Sequence, residues 1–294
     1  MTAPISIDIG DGAHQFAEVA ERICPSSEVN ALRRPAAQHV AVRRLAAEVP
    51  QARDVIKAMR TDLTETGAVV LRNAPVCCDT LLVLLGAAVA PAITSEVYPD
   101  LVDQVTPNVT GEEQQRAQNQ RSEMLLHTDA SAQQSPPDIL GLACVANEGH
   151  GGASLLLAID DAVDTMKAAD QVLEQLRAPF PFVHPQHQDK PAVLAPVVTR
   201  RTSGGGYRIR YRKENLQTGL SLAGDHITAD QRTALDTLAD CLESGTRTMR
   251  FRLSPDDYLL FDNTRYLHGR TEIEHGARRL VKRTYFRHTA EAGR

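Results

Sequence analysis

Apolar positions recur along this chain with two different periods, and the places where the period changes outline its elements. From about Pro35 to Thr64, Val40, Val42, Leu45, Val49, Val55, Ile56 and Met59 recur at helical spacing, which predicts helices packed on one face. Residues 1 to 35 show no such period and read as irregular. Gly67-Ala68-Val69-Val70-Leu71-Arg72 is a short apolar run closed by Asn73-Ala74-Pro75, hence a buried strand, and Asp79 then caps a helix through Ala90. Residues 103 to 124 are polar and aperiodic, a long loop directly before His127 of the kind that often serves as an active-site lid.

Beyond it, Ile139 to Val145 reads as a strand, Asn147 to Gly152 as a turn, Ser154 to Ile159 as a second strand and Asp160 to Leu176 as a helix with Val163, Met166, Val172 and Leu176 inward. Pro179 to Pro196 holds five prolines, which argues against regular structure there. Ala195 to Thr199 and Tyr207 to Arg212 look like strands flanking Gly204-Gly205-Gly206. Thr228 caps a helix through Leu242, and Thr248 to Leu253, Tyr258 to Phe261 and Leu280 to Arg287 are the last strands.

Many short strands with Gly, Pro and Asn turns predict a mostly β protein with α elaboration: a double-stranded β-helix, that is, a jelly-roll or cupin-like core flanked by helices. A doubly wound α/β fold fits less well, because strands and helices do not alternate strictly and no G-x-G-x-x-G occurs. The expected organisation is a single domain over residues 1–294, with 1–64 a largely helical layer and 65–294 the jelly-roll core with insertions.

Composition narrows the partners. With 42% apolar and 23% charged residues the chain is of the soluble globular class, and a formal net charge of −5 disfavours nucleic acid and points to a small-molecule substrate. Five cysteines without a C-x-x-C suggest neither disulfides nor a zinc site, and they read as reduced thiols, mostly buried. The longest apolar run, Leu81 to Ile93, is interrupted by Gly86 and Pro91 and is too short to span a bilayer, so no membrane partner is expected and a cytoplasmic protein follows. Homo-oligomerisation stays open.

The candidate chemistry lies in two histidines 141 positions apart, His127 in Leu126-His127-Thr128-Asp129 and His268 in Asp262-Asn263-Thr264-Arg265-Tyr266-Leu267-His268-Gly269-Arg270. With Asp129 they supply two imidazoles and a carboxylate, the ligand set of a non-haem Fe(II) oxygenase. H-x-[DE] alone is weak: this composition yields roughly one by chance, and a second, His187-Gln188-Asp189, lies in the proline-rich stretch. On a strand His127 and Asp129 would share a face. Asp262-Asn263 would place Arg265 to Arg270 at a barrel rim. Arg279 and Arg283, four apart, would face one cavity with guanidinium forks suited to carboxylates, unless Arg278 to Arg283 is simply a solvated basic face. The basic run Arg208 to Lys213 reads rather as an exposed strand face than as the site entrance.

Taken together, H-T-D, Gly151-Gly152-Ala153-Ser154, D-N-x-R-x-x-H-G-R, and arginines 11 and 15 positions after His268 resemble the taurine dioxygenase and clavaminate synthase-like Fe(II)/2-oxoglutarate oxygenases, from about Gly67 to the C-terminus. Leu267-His268-Gly269-Arg270 and Pro137-Asp138-Ile139-Leu140 lean toward the clavaminate synthase-like amino-acid hydroxylases, the arginine spacing toward taurine dioxygenase. The resemblance implies that His127, Asp129 and His268 bind Fe(II). It implies that Arg279 and Ser154, a position where the family usually has Thr, hold 2-oxoglutarate, and that Arg283 and Ser122 meet the substrate. With O2 as second co-substrate, it implies hydroxylation or desaturation of a small carboxylate-bearing molecule, an amino acid or derivative in natural-product biosynthesis, with release of succinate and CO2. Asp129 argues against halogenation, since related halogenases lack the carboxylate. The alternatives are a scavenging oxygenase acting on a sulfonate or aryloxy acid, a non-catalytic cupin-like metal binder, and a zinc hydrolase. The last lacks an H-E-x-x-H base. The Gln118 to Glu123 loop and the Ser203 to Gly206 turn are candidate lids.

Overall fold

The computed structural model describes residues 4–95, 98–107, 119–166, 169–202, 205–223 and 227–289. The chain starts with β1 (Ile5–Asp8), α1 (Ala13–Ile23), α2 (Pro35–Glu48) and α3 (Pro50–Glu65), then β2 (Ala68–Arg72) and α4 (Asp79–Ala87). There follow β3 (Asp103–Val105), β4 (Met124–His127), β5 (Ile139–Glu148), β6 (Ser154–Ala158), α5 (Ile159–Val163), α6 (Ala169–Leu176), β7 (Pro179–Phe182) and β8 (Val193–Pro196). The remainder comprises β9 (Val198–Arg200), β10 (Tyr207–Ile209), α7 (Lys213–Ala223), α8 (Ala229–Glu243), β11 (Met249–Phe251), β12 (Asp257–Asp262), β13 (Tyr266–Arg270) and β14 (Arg278–Phe286).

A six-stranded sheet in the order β1-β2-β12-β5-β14-β3 and a four-stranded sheet in the order β11-β6-β13-β4 form the expected jelly-roll core. Pairing in both is antiparallel except for β1 beside β2. Strands of the larger sheet are apolar on both faces because both are covered. Val69, Leu71, Tyr258 and Leu260 point into a cluster with the N-terminal helices. Their neighbours Val70, Leu259 and Phe261 point the other way and meet Leu156 and Tyr266 of the smaller sheet. Each fully buried Leu or Phe in these layers contributes about 1.5–3 kcal/mol. A third cluster joins α6, α7 and α8 to the hairpins β7-β8 and β9-β10.

Four local expectations are corrected. Residues 1 to 35 are not irregular: β1 adds in parallel to β2, and α1 buries Phe16, Val19 and Ala20. Pro179 to Pro196 contains the hairpin β7-β8, which is a two-stranded sheet of its own with Pro179 opposite Pro196, so its prolines sit where no further strand needs their missing N–H. The helix expected over 160–176 is split into α5 and α6. The helix α7 was not foreseen, because its charged and Gly-containing sequence has little apolar period. Thr228 does cap α8, through a reciprocal capping box with Gln231.

Among the described residues all five cysteines are free, and three are buried. No helix there is long and apolar enough to cross a membrane.

Candidate active site

His127 ends β4 and His268 lies in the middle of β13, where the two are direct ladder partners. Their rings are 4.3 Å apart between centroids. The strands approach closely because residue 269 is glycine: a Cβ there would stand 2.6 Å from the Met124 carbonyl oxygen. His268 is therefore held within a strand rather than at a loop rim. Asp129 lies beyond the end of β4, so the two ligands of the H-x-D do not share a strand face as expected. A turn carries the carboxylate back instead, with Ala130 at φ 58°.

That turn is fixed from two sides. The Asp129 N–H donates to Asn263 Oδ1 at 2.9 Å, while Asn263 Nδ2 donates to the carbonyls of Asp129 and Pro137. The Thr128 N–H donates to the Tyr211 carbonyl at 2.7 Å, and the Tyr211 N–H donates back to Thr128 Oγ1. As a result Asp129 Oδ1 lies 3.3 Å from His127 Nε2 and 3.7 Å from His268 Nε2. These three side chains are the one group among the described residues whose donors converge for a metal ion, all within 4.8 Å.

The donor set fits Fe(II) on four observations. His127 Nδ1 is paired with the Leu125 carbonyl at 2.8 Å, which directs a lone pair of Nε2 into the site. Burial, reinforced by His127, pushes His268 down to about 3, keeping its imidazole neutral and its lone pair available. His268 Nδ1 is buried without a partner. Burial alone would raise Asp129, but the Arg283 guanidinium, followed by the contact with His127, holds it well below the usual carboxylate range, so it is an anion.

Arg279, Arg283 and Ser154 all line the pocket that contains the triad. Arg283 on β14 donates from Nη1 to Asp129 Oδ2 at 3.0 Å and from Nη2 to Asp103 Oδ2 at 2.8 Å, and stacks on Tyr98 with its Cζ 4.3 Å from the ring centroid. Tyr285, two residues on, donates its hydroxyl to Asp129 Oδ2 at 2.8 Å. Asp129 thus has one oxygen saturated by two donors and the other turned to the histidines. Arg279 is the opposite case. It is 8% exposed, and among the described residues no carboxylate or carbonyl pairs with it. Burial, followed by the charge of Arg270, lowers it to about 10. The Ser154 hydroxyl likewise makes no hydrogen bond among the described residues and is 7% exposed at the start of β6. Gly152, at φ 67°, packs against the Arg279 side chain and turns the chain toward Ser154.

The basic-face reading of Arg278 to Arg283 holds for Arg278 alone, which is exposed beside Glu148. Ser122 is exposed and lines an outer groove rather than the inner pocket. Among the described residues, His187 and Asp189 join no metal-ligand cluster. Gln118 and Ser203 to Gly204 lie outside the described residues, whereas Gln120 and Arg121 are tied down: Arg270 Nη2 donates to the Gln120 carbonyl at 2.7 Å, and the Ile273 N–H donates to that of Arg121. Sequence reasoning missed Tyr285, Asn263 as a clamp, Asp103 and Tyr98. Tyr285 was accessible in principle, since period two from Arg283 places it on the same face. Asp103 and Tyr98 carry no local signal.

A sequence profile of the taurine catabolism dioxygenase TauD, TfdA family matches residues 32–285, starting well before Gly67 and thus including most of the helical layer. The dioxygenase str8 of Strobilurus tenacellus is 29% identical over 153 residues, which cover 51% of this chain but only 35% of that protein. Among solved structures, an asparagine oxygenase in complex with Fe(II), 2S,3S-3-hydroxyasparagine and succinate superposes with a TM-score of 0.74 at 19% identity, over 97% of this chain and 93% of that one. The non-heme iron oxygenase OrfP with Fe and alpha-ketoglutaric acid reaches 0.72 at 18% identity, over 97% and 94%. By the extent of the profile match, the chain belongs to the taurine catabolism dioxygenase TauD, TfdA family.

Proposed function

We propose that this protein is an Fe(II)/2-oxoglutarate-dependent dioxygenase that hydroxylates a small amino-acid-like substrate. The observation that carries the reading is the pairing of a buried His127-Asp129-His268 triad with a buried guanidinium, Arg279, that has no anion among the described residues. A buried cation without a counter-charge is costly unless a ligand supplies one. The distal carboxylate of 2-oxoglutarate meets that need, with a hydrogen bond from Ser154 beside it. When bound, iron and 2-oxoglutarate supply an oxidant from O2, with succinate and CO2 as co-products.

The residues of the chain do the positioning. Arg283 and Tyr285 hold Asp129 so that a single oxygen faces the metal position. The Leu125 carbonyl fixes the His127 tautomer. The apolar side chains of Leu142, Leu259 and Val281 line the pocket and limit water. The asparagine oxygenase neighbour holds a hydroxylated amino acid, and OrfP has been captured with (3S)-hydroxy-L-Arg, which supports an amino-acid substrate here.

Anaerobic addition of Fe(II) and 2-oxoglutarate tests the reading. A visible charge-transfer band is expected in the native protein and no band in Asp129→Ala. An Asp129→Ala protein that still forms succinate from 2-oxoglutarate would refute the assigned metal site.

A further inference from the structure

The cavity on the Asp129 side of the metal site has a charge pattern that names a substrate class. It measures about 550 Å³ and shares Asp129 and Arg212 with the pocket of the triad. Arg212, Lys190 and Arg287 line it together with His184 and His187, and Asp129 is its one acidic residue among the described residues. Arg283 and the triad itself engage the Asp129 charge, which leaves no further carboxylate among the described residues of this cavity.

Arg212 sits where the three cavities around the metal site meet. Its Nε contacts Glu214 at 3.3 Å, and its two terminal nitrogens have no partner among the described residues. Its backbone is anchored next to the metal ligands, because the preceding residue, Tyr211, accepts from the Thr128 N–H and donates its own N–H to the Thr128 hydroxyl, between His127 and Asp129. A second polar group of the same cavity is left open: Asn215 is 2% exposed, donates to Ser131 Oγ at 2.9 Å, and its Oδ1 is buried without a partner. A planar guanidinium with free terminal N–H groups fits a carboxylate, and an unfilled amide oxygen fits an N–H donor. Arg283, by contrast, already has both terminal nitrogens on Asp129 and Asp103.

Building on the oxygenase reading, we infer that this cavity binds the prime substrate, that the substrate is an acidic amino acid, and that Arg212 selects it by pairing with its side-chain carboxylate. Arg287 adds positive charge to the same wall, and Asn215 accepts from the substrate ammonium.

The test measures succinate release from Fe(II)-loaded protein with 2-oxoglutarate and O2, alone and with L-aspartate, L-glutamate, L-asparagine, L-glutamine or L-arginine. Expected is at least about tenfold greater stimulation by an acid than by its amide, corresponding to one lost charged contact of about 1.4 kcal/mol. Arg212→Glu should remove that preference and favour L-arginine. Three outcomes overturn the inference: basal 2-oxoglutarate consumption that neither acid stimulates, an amide or L-arginine that matches the acids in the unmodified protein, or an unchanged acid-to-amide ratio in a cooperatively melting Arg212→Glu protein. If Fe(II)-loaded native protein consumes no 2-oxoglutarate under any condition, the oxygenase reading itself fails, and the absence of the anaerobic charge-transfer band separates that case.

Discussion

The two ends of the pocket-facing side of β14 present the same side chain in opposite states. At Arg283 the guanidinium is matched inside the protein by Asp129 and Asp103 and stacked on Tyr98. At Arg279, four residues earlier on the same strand, the guanidinium is just as buried and has no partner among the described residues. At the first end folding itself supplies the counter-charge, whereas at the second only a ligand does. Burial by itself does not separate a structural arginine from a binding one; the location of its counter-charge does.

Removing each arginine breaks the comparison from either side. Arg283→Leu should have the largest effect on stability, about 3–5 kcal/mol, because it strands the buried carboxylate of Asp129 and the half-buried one of Asp103. Urea titration of the metal-free protein measures this, and a loss below about 1 kcal/mol would show that the pair is not coupled to folding. Arg279→Leu should leave ligand-free stability unchanged or raise it, since it removes a charge that nothing offsets. It should weaken 2-oxoglutarate binding by about 2–5 kcal/mol, read from the concentration dependence of the charge-transfer band. A destabilised Arg279→Leu protein with normal co-substrate binding would reverse the roles assigned to the two ends.

Smaller changes sharpen the contrast. Tyr285→Phe removes one of the two donors to Asp129 Oδ2 and should lower Fe(II) affinity by about 10–100-fold with little loss of folding stability, measurable by competition with a chelator. Ser154→Ala should cost about 1 kcal/mol in 2-oxoglutarate affinity and leave metal affinity alone. Equal losses in both affinities would place Ser154 in the metal site rather than beside Arg279.

Most of what was legible in the sequence came from periodicity and spacing. The uninterrupted apolar runs at Val69-Val70-Leu71 and Tyr258-Leu259-Leu260-Phe261 locate the two-sided strands, and the His127, Asp129 and His268 spacing finds the triad. What stayed hidden depends on contacts distant in sequence. β1 exists because β2 offers an unpaired edge some sixty residues later, not because Ile5 to Asp8 is a strong strand former. Asp129 reads as an i+2 strand neighbour of His127 until Asn263 and Tyr211 are seen to hold it in a turn. The run Arg208 to Lys213 looks like uniform surface charge, yet Arg212 alone is drawn to the site, because the backbone next to it is tied to Thr128. Ser122, which the resemblance assigns to the substrate, lies before β4 and lines the outer groove rather than the inner pocket.

The facing of His127 and His268 across the ladder of β4 and β13 has a consequence for how the chain reaches its native state. A one-residue slip in that pairing would swing a ligand to the opposite side of the sheet, and the bulge between His268 and Arg270 shows that the local alignment is not enforced by uniform pairing. A metal ion held by both strands would act as a proofreader of alignment, favouring the one arrangement in which both imidazoles meet it.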